Sequence, residues 1–178
     1  MEPGQLYNLQ ISGGNLEIHN AFLSFSANGT LVIHPSTASH KHTTALLTAG
    51  QTLHTLLFPS RLSQSSPKSF YSLQCPSGKG TFQLQISSET EVQGLGSTVL
   101  YDNWRIASDD GYVYLRYKGL KIGFWIAVPE ESNDGKVWVA WWLSPSQATV
   151  EDFEGYAMVD VEVRKVDSEG GSERQKEL

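Results

Sequence analysis

Apolar and polar positions alternate through five segments of the second half of the chain: Val99–Ile106, Tyr112–Tyr117, Lys121–Val128, Lys136–Leu143 and Tyr156–Val163. Successive side chains of a strand point to opposite faces, so each segment divides into two sets. One set is apolar: Leu100, Trp104 and Ile106; Val113, Leu115 and Tyr117; Ile122, Phe124, Ile126 and Val128; Val137, Val139, Trp141 and Leu143; Ala157, Val159, Val161 and Val163. The pattern predicts that this set faces a core. The other set mixes rings with charges and amides: Tyr101, Asn103, Arg105, Tyr112, Tyr114, Arg116, Trp125, Trp138, Trp142, Met158, Asp160 and Glu162. A face that water merely solvates does not need so many rings, so the second set predicts a binding surface or a cavity lining. The plain alternative is the outside of a barrel, with long side chains packed across neighbouring strands.

Shorter alternating runs precede these segments. Gln5–Ile11, Asn15–Phe25 and Thr30–His34 read as strands, the last two joined by a hairpin turn at Ala27-Asn28-Gly29. Thr43–Leu47 and Gln51–Phe58 flank Gly50, and Phe70–Cys75 and Thr81–Ser87 flank Pro76-Ser77-Gly78-Lys79-Gly80. Pro59–Ser69 and Glu89–Gly96 read as loops, and Gln147–Phe153 has room for one helical turn. No segment supports a helix of ten residues. Roughly eleven to thirteen short strands between Gly, Pro, Asn and Asp turns predict an all-β fold. We expect one domain over residues 1–166, an antiparallel β-barrel or β-sandwich. A β-trefoil is the alternative, because Asn15–His34, Phe70–Ser87 and Gly111–Val128 are loosely alike. The charged, Gly- and Ser-rich stretch Asp167–Leu178 is expected to be a disordered tail.

Composition narrows the partners. The 178 residues are 39% hydrophobic and 11% aromatic, with 18% charged and a formal net charge of −6. Lys and Arg are scattered singly along the sequence, so a phosphate backbone is not an expected partner. A single cysteine, Cys75, excludes an internal disulfide and suits a reducing compartment. No leader-like basic and apolar stretch opens the sequence, and no apolar run approaches membrane-spanning length. The expected location is therefore the cytoplasm, with secretion to a cell wall as the alternative if a leader was removed.

Motifs of known chemistry are sparse. The chain has neither the Gly-x-Ser-x-Gly nucleophile turn nor a phosphate-binding glycine pattern. His40 and His42 share a strand parity, but no carboxylate or thiol stands nearby in sequence to complete a metal site, so no metal and no cofactor are expected. Asp102 falls between Leu100 and Trp104 on the apolar side. Buried there, its carboxyl would have a raised pKa and act as a general acid. If Tyr101-Asp102-Asn103 is instead still a turn, it would not.

The order Trp104-Arg105-Ile106, Asp110-Gly111, Gly123-Phe124-Trp125-Ile126-Ala127-Val128-Pro129, Val137-Trp138-Val139-Ala140-Trp141-Trp142 and Gly155-Tyr156-Ala157-Met158-Val159 resembles small filamentous-fungal proteins of the cell-wall, phialide-associated or IgE-binding type. The resemblance covers residues 99–163. It implies an all-β fold and no established enzymatic chemistry. The family cysteines expected at Val128 and near Gly155-Tyr156 are missing here.

Two functions fit these observations. In the first, a barrel binds a small apolar or polycyclic ligand and acts as a cofactor-free cyclase, for example in a cycloaddition, or as an isomerase in fungal secondary metabolism. Such chemistry needs a dry, shaped pocket and one or two polarising donors. Tyr101, Asn103, Trp104, Trp125, Trp138, Trp142 and Met158 would then contact substrate. Arg105, Tyr112, Tyr114 and Arg116 would donate hydrogen bonds, and Asp102 or Asp160 would supply an acid. In the second, a non-enzymatic wall or surface protein stacks the same rings on glycans. An exposed aromatic strip would favour the second reading, and a closed apolar cavity the first.

Overall fold

The computed structural model describes residues 5–26, 30–35, 45–49, 55–59, 68–76, 80–95, 99–118, 123–132, 135–144 and 153–166. The Ala27-Asn28-Gly29 turn, His40, His42, Ile122, most of the Pro59–Ser69 and Gln147–Phe153 segments and the Asp167–Leu178 tail lie outside the described residues. Within them the protein is all-β. Its strands are β1 (Tyr7–Gly13), β2 (Leu23–Phe25), β3 (Leu31–Ile33), β4 (Leu46–Ala49), β5 (Leu56–Phe58), β6 (Ser69–Gln74), β7 (Thr81–Ser88), β8 (Val99–Leu100), β9 (Trp104–Asp109), β10 (Tyr112–Tyr117), β11 (Phe124–Ser132), β12 (Gly135–Leu143) and β13 (Ala157–Lys165). One helix, α1 (Glu89–Leu95), follows β7.

Antiparallel pairing closes eight of these strands into a ring, in the order β12, β7, β6, β5, β4, β1, β13, β11 and back to β12. The joints of β4 to β1, of β4 to β5 and of β5 to β6 are short, two residue pairs each. Three ring strands change partner partway along. β12 turns from β7 to β3 at Trp138, β13 from β11 to β10 at Glu162, and β6 from β5 to β8 at Leu73. The hairpins β2–β3 and β9–β10 fill the resulting splits, and their inner side chains Leu23, Leu31, Ile33, Trp104, Leu115 and Tyr117 join the main core. Among the described residues the pairing order shows a ring of strands and no threefold repeat of the kind a trefoil needs.

Parity assigns the inside. Tyr7, Leu9 and Ile11 of β1 and Val159, Val161 and Val163 of β13 are buried in the core, as alternation predicts. In β11 and β12 the prediction inverts. The core residues there are Trp125, Ala127, Trp138, Ala140 and Trp142, from the set assigned to a binding face or unassigned. Val137 and Val139 instead form a small outer cluster with Val32, against which Trp141 packs. Ile126 is also fully buried. Both faces of these two strands are covered, and alternation marks the inside only when one face meets water.

Two local predictions also change. Val99–Ile106 is not one strand, because Tyr101, Asp102 and Asn103 form a break between β8 and β9, with Asn103 at φ 65°. Glu89–Gly96 is largely helix rather than loop. Ser88 and Glu91 bond reciprocally, the Ser88 amide donating to Glu91 Oε2 (2.7 Å) and the Glu91 amide to Ser88 Oγ (3.3 Å). This is a capping box, and Val92 anchors the helix inward.

Candidate functional site on the outer sheet face

Most of the candidate site residues fall into two groups on opposite sides of the wall. Trp104, Trp125, Trp138 and Trp142 are 1–2% exposed and belong to the core. Trp104 and Trp125 stack in parallel with centroids 6.4 Å apart, and Trp142 meets Trp125 edge-on at 5.1 Å. The Trp104 indole donates to the Tyr71 carbonyl (3.1 Å) and the Trp125 indole to the Leu115 carbonyl (2.8 Å). These are the bonds of structural tryptophans, each satisfying a buried N–H. The Trp142 indole nitrogen has no hydrogen-bond partner among the described residues. The Trp138 indole lies close enough to Glu17 to help, after Lys136, to hold its carboxyl below the ordinary range.

Arg105, Tyr112, Tyr114, Arg116, Met158 and Asp160 point outward from β9, β10 and β13. Register sets them in rows with β1. One row runs Gln10, Glu162, Tyr114, Ala107. On one side of it lie Asn8, Arg164, Tyr112 and Asp109, and on the other Ser12, Asp160, Arg116 and Arg105. Phe22 bridges to Gln10 and extends the central row. Three large apolar side chains on this face stay in water: Tyr112 (45% exposed), Met158 (61%) and Phe22 (38%).

Polar contacts hold the rings in place. Tyr112 and Tyr114 stack with centroids 6.3 Å apart. The Arg116 guanidinium lies 5.2 Å from the Tyr114 ring and donates to Asp160 Oδ1 at 2.7 Å. At the other end, Arg164 lies 5.4 Å from the Tyr112 ring, donates to Gln10 Oε1 (3.0 Å) and pairs with the buried Glu162. Desolvation first, and then the carboxylates of Glu162, Asp160 and Asp109, raises the Tyr114 phenol above its ordinary pKa. Its hydroxyl therefore remains protonated, able to donate and accept.

Asp102, Tyr101 and Asn103 sit apart from these rows, in the break between β8 and β9. Asp102 is exposed and accepts from the Asn103 amide (3.1 Å), so it stands in the turn and not on the apolar side between Leu100 and Trp104. Tyr101 packs edge-on against Phe70 with centroids 5.4 Å apart. The candidate substrate-contacting and catalytic residues are thus not one site. Sequence reading missed Arg164, Gln10 and Phe22. Arg164 continues the even-numbered face of β13, one residue past the segment taken as strand.

Among the described residues, no three His, Cys, Asp or Glu side chains gather to hold a metal ion, and no helix is long and apolar enough to cross a membrane. No family model matches the chain, and neither a curated protein nor a solved structure is detectably similar to it.

Proposed function

We propose that this protein is a carbohydrate-binding β-barrel whose ligand lies on the outer face of β9, β10, β13 and β1. The observation that carries this is the exposed Tyr112 ring, stacked on the half-buried Tyr114 and framed by the half-exposed Arg116–Asp160 ion pair. A sugar ring presents C–H bonds on one side, which lie well on an aromatic ring, and hydroxyls around its edge. Each hydroxyl both donates and accepts. A guanidinium and a carboxylate held side by side match two neighbouring hydroxyls at once. A purely apolar ligand here would strip water from those charges and return nothing. The fungal wall-protein resemblance supports the same reading. The test is calorimetric titration with soluble oligosaccharides of glucose, N-acetylglucosamine and galactose. Saturable binding by one of them, lost in Tyr112→Ala with the unfolding midpoint unchanged, supports it. Binding that survives Tyr112→Ala rejects the site.

A second reading keeps the ligand inside the barrel. Its support is the buried indole N–H of Trp142, which packs without a partner among the described residues. Ala140, Ala127 and Ala157 stand in one row across β12, β11 and β13, with the Trp125–Trp142 pair on one side of it and Trp138 on the other. An apolar polyketide or terpenoid folded there would meet aromatic walls and the uncommitted Trp142 donor, the requirements of a cofactor-free cyclase or isomerase, and the single cysteine suits a cytoplasmic one. Saturable binding of an apolar ligand, abolished by Ala140→Leu, would move the function inside.

A further inference from the structure

Cations scattered singly in the sequence are gathered by the sheet. Arg105 of β9 stands directly opposite Arg116 of β10. The Lys118 amide bonds the Asn103 carbonyl (2.9 Å), which continues the same register and sets Lys118 beside Arg116 on the outer face. Arg105 and Lys118 are exposed, and neither has an ion-pair partner among the described residues. Among the described residues, the carboxylate ion-paired at this corner is Asp160, taken by Arg116 at 2.7 Å. Asp102, the nearest carboxylate to Arg105 in sequence, accepts from the Asn103 amide. Asp109 lies four residues along β9, about 13 Å away at strand rise. Like charges set directly opposite each other on paired strands repel. Asp160 offsets the charge of Arg116, and the charges of Arg105 and Lys118 beside it are left without an ion pair among the described residues, on a chain whose formal net charge is −6.

We propose that this corner gives the carbohydrate site its specificity: the anionic group of an acidic saccharide, a uronic-acid carboxylate or a sulfate ester, seats between Arg105 and Arg116, with Lys118 beside it. The inference rests on the carbohydrate reading above. Guanidinium forks match the paired oxygens of such groups, and charge-assisted bonds of this kind are the strong ones. The rest of the ligand lies along Tyr114 and Tyr112.

The test uses the whole chain and three probes: trigalacturonic acid, the neutral trimer made by reducing its carboxyls, and that neutral trimer sulfated. The acidic trimer is expected to bind about tenfold more tightly than the neutral one, because a charge-assisted bond replaces a neutral bond. Raising the ionic strength should narrow the gap. Arg105→Gln should bring the two trimers within about twofold of each other at unchanged unfolding midpoint, since only the anion contact is removed. Preference for the sulfated over the carboxylated trimer assigns a sulfate ester, and the converse a uronate. Equal affinity for acidic and neutral trimers overturns the proposal and leaves the carbohydrate site standing. So does a preference that survives Arg105→Gln together with Lys118→Gln. If no saccharide binds at all, the carbohydrate reading falls first.

Discussion

Gly123 and Trp142 are in such close approach that a Cβ on Gly123 would stand 2.5 Å from the Trp142 indole, against both Nε1 and Cε2. Trp142 is 2% exposed and wedged against Trp125, so it has little freedom to retreat. Gly123→Ala should therefore destabilise the barrel by about 1–3 kcal/mol, the usual cost of overpacking a core. Urea unfolding read by near-ultraviolet circular dichroism measures it. A neutral effect would mean that the indole stack is looser than this contact implies.

That contact also shows where sequence reading stops. The β9, β10 and β13 segments alternate cleanly because one face is core and the other is wet. Leu115, Tyr117, Val161 and Val163 were therefore legible as inside, and Tyr112, Arg116 and Asp160 as outside. In β12, Val137, Trp138, Val139 and Ala140 are all nearly fully buried, and no periodicity separates the faces. The bulk of the tryptophans then suggested ligand walls, where the structure uses Trp104 and Trp125 as core donors to backbone carbonyls. The outer site was half legible. Its rings and ion pair were on the page as sequence, but the meeting of Arg105 with Arg116, and of Tyr112 with Arg164, depends on cross-strand register, which composition does not carry.

Helix α1 depends on its first turn. Ser88 Oγ accepts from the Glu91 amide and donates to Glu91 Oε2 (2.8 Å); the Ser88 amide first, and then its hydroxyl, hold the Glu91 carboxyl below its ordinary pKa. Ser88→Ala should cost about 1 kcal/mol, as loss of an N-cap usually does. The loss should be visible as faster hydrogen exchange through Glu89–Leu95. Unchanged exchange would show that packing of Val92, and not the cap, holds the helix.

Alkaline pH should attack the core through its tyrosines. Burial pushes the Tyr117 phenol up to about 12, chiefly by desolvation and then by the Asp102 charge, and desolvation raises Tyr71 further. A raised folded-state pKa means that the unfolded chain loses the proton first. The stabilisation is complete below about pH 10, the ordinary tyrosine value, and is lost as pH rises from there through 12. Tyr117→Phe removes one titrating group, so its unfolding midpoint should fall less steeply between those limits than that of the wild type. Parallel profiles would assign the alkaline loss to Tyr71.

Acid should loosen the turn that covers one end of the barrel. Residues 14–20 fold over that end, with Ile18 fully buried and Gly14 packed against Val159 and Ala157. The turn is tied down by Glu17, whose carboxylate accepts from Lys136 Nζ at 2.8 Å, while the same ammonium lies 4.9 Å from the Trp138 ring. The bond to Lys136 is the first cause of a lowered Glu17 pKa. With the folded value depressed, the contribution is fully present above the ordinary carboxylate range and is lost as pH falls through the folded value. Both partners are about half exposed, so the effect is local and screened by salt. The amides to follow are those of Ile18, bonded to Asn15, and Asn20, bonded to Ile11. Their exchange should quicken relative to Glu17→Gln as pH is lowered at low salt, and the difference should vanish at high salt. A difference that persists in salt would show that Ile18, rather than the ion pair, latches the turn.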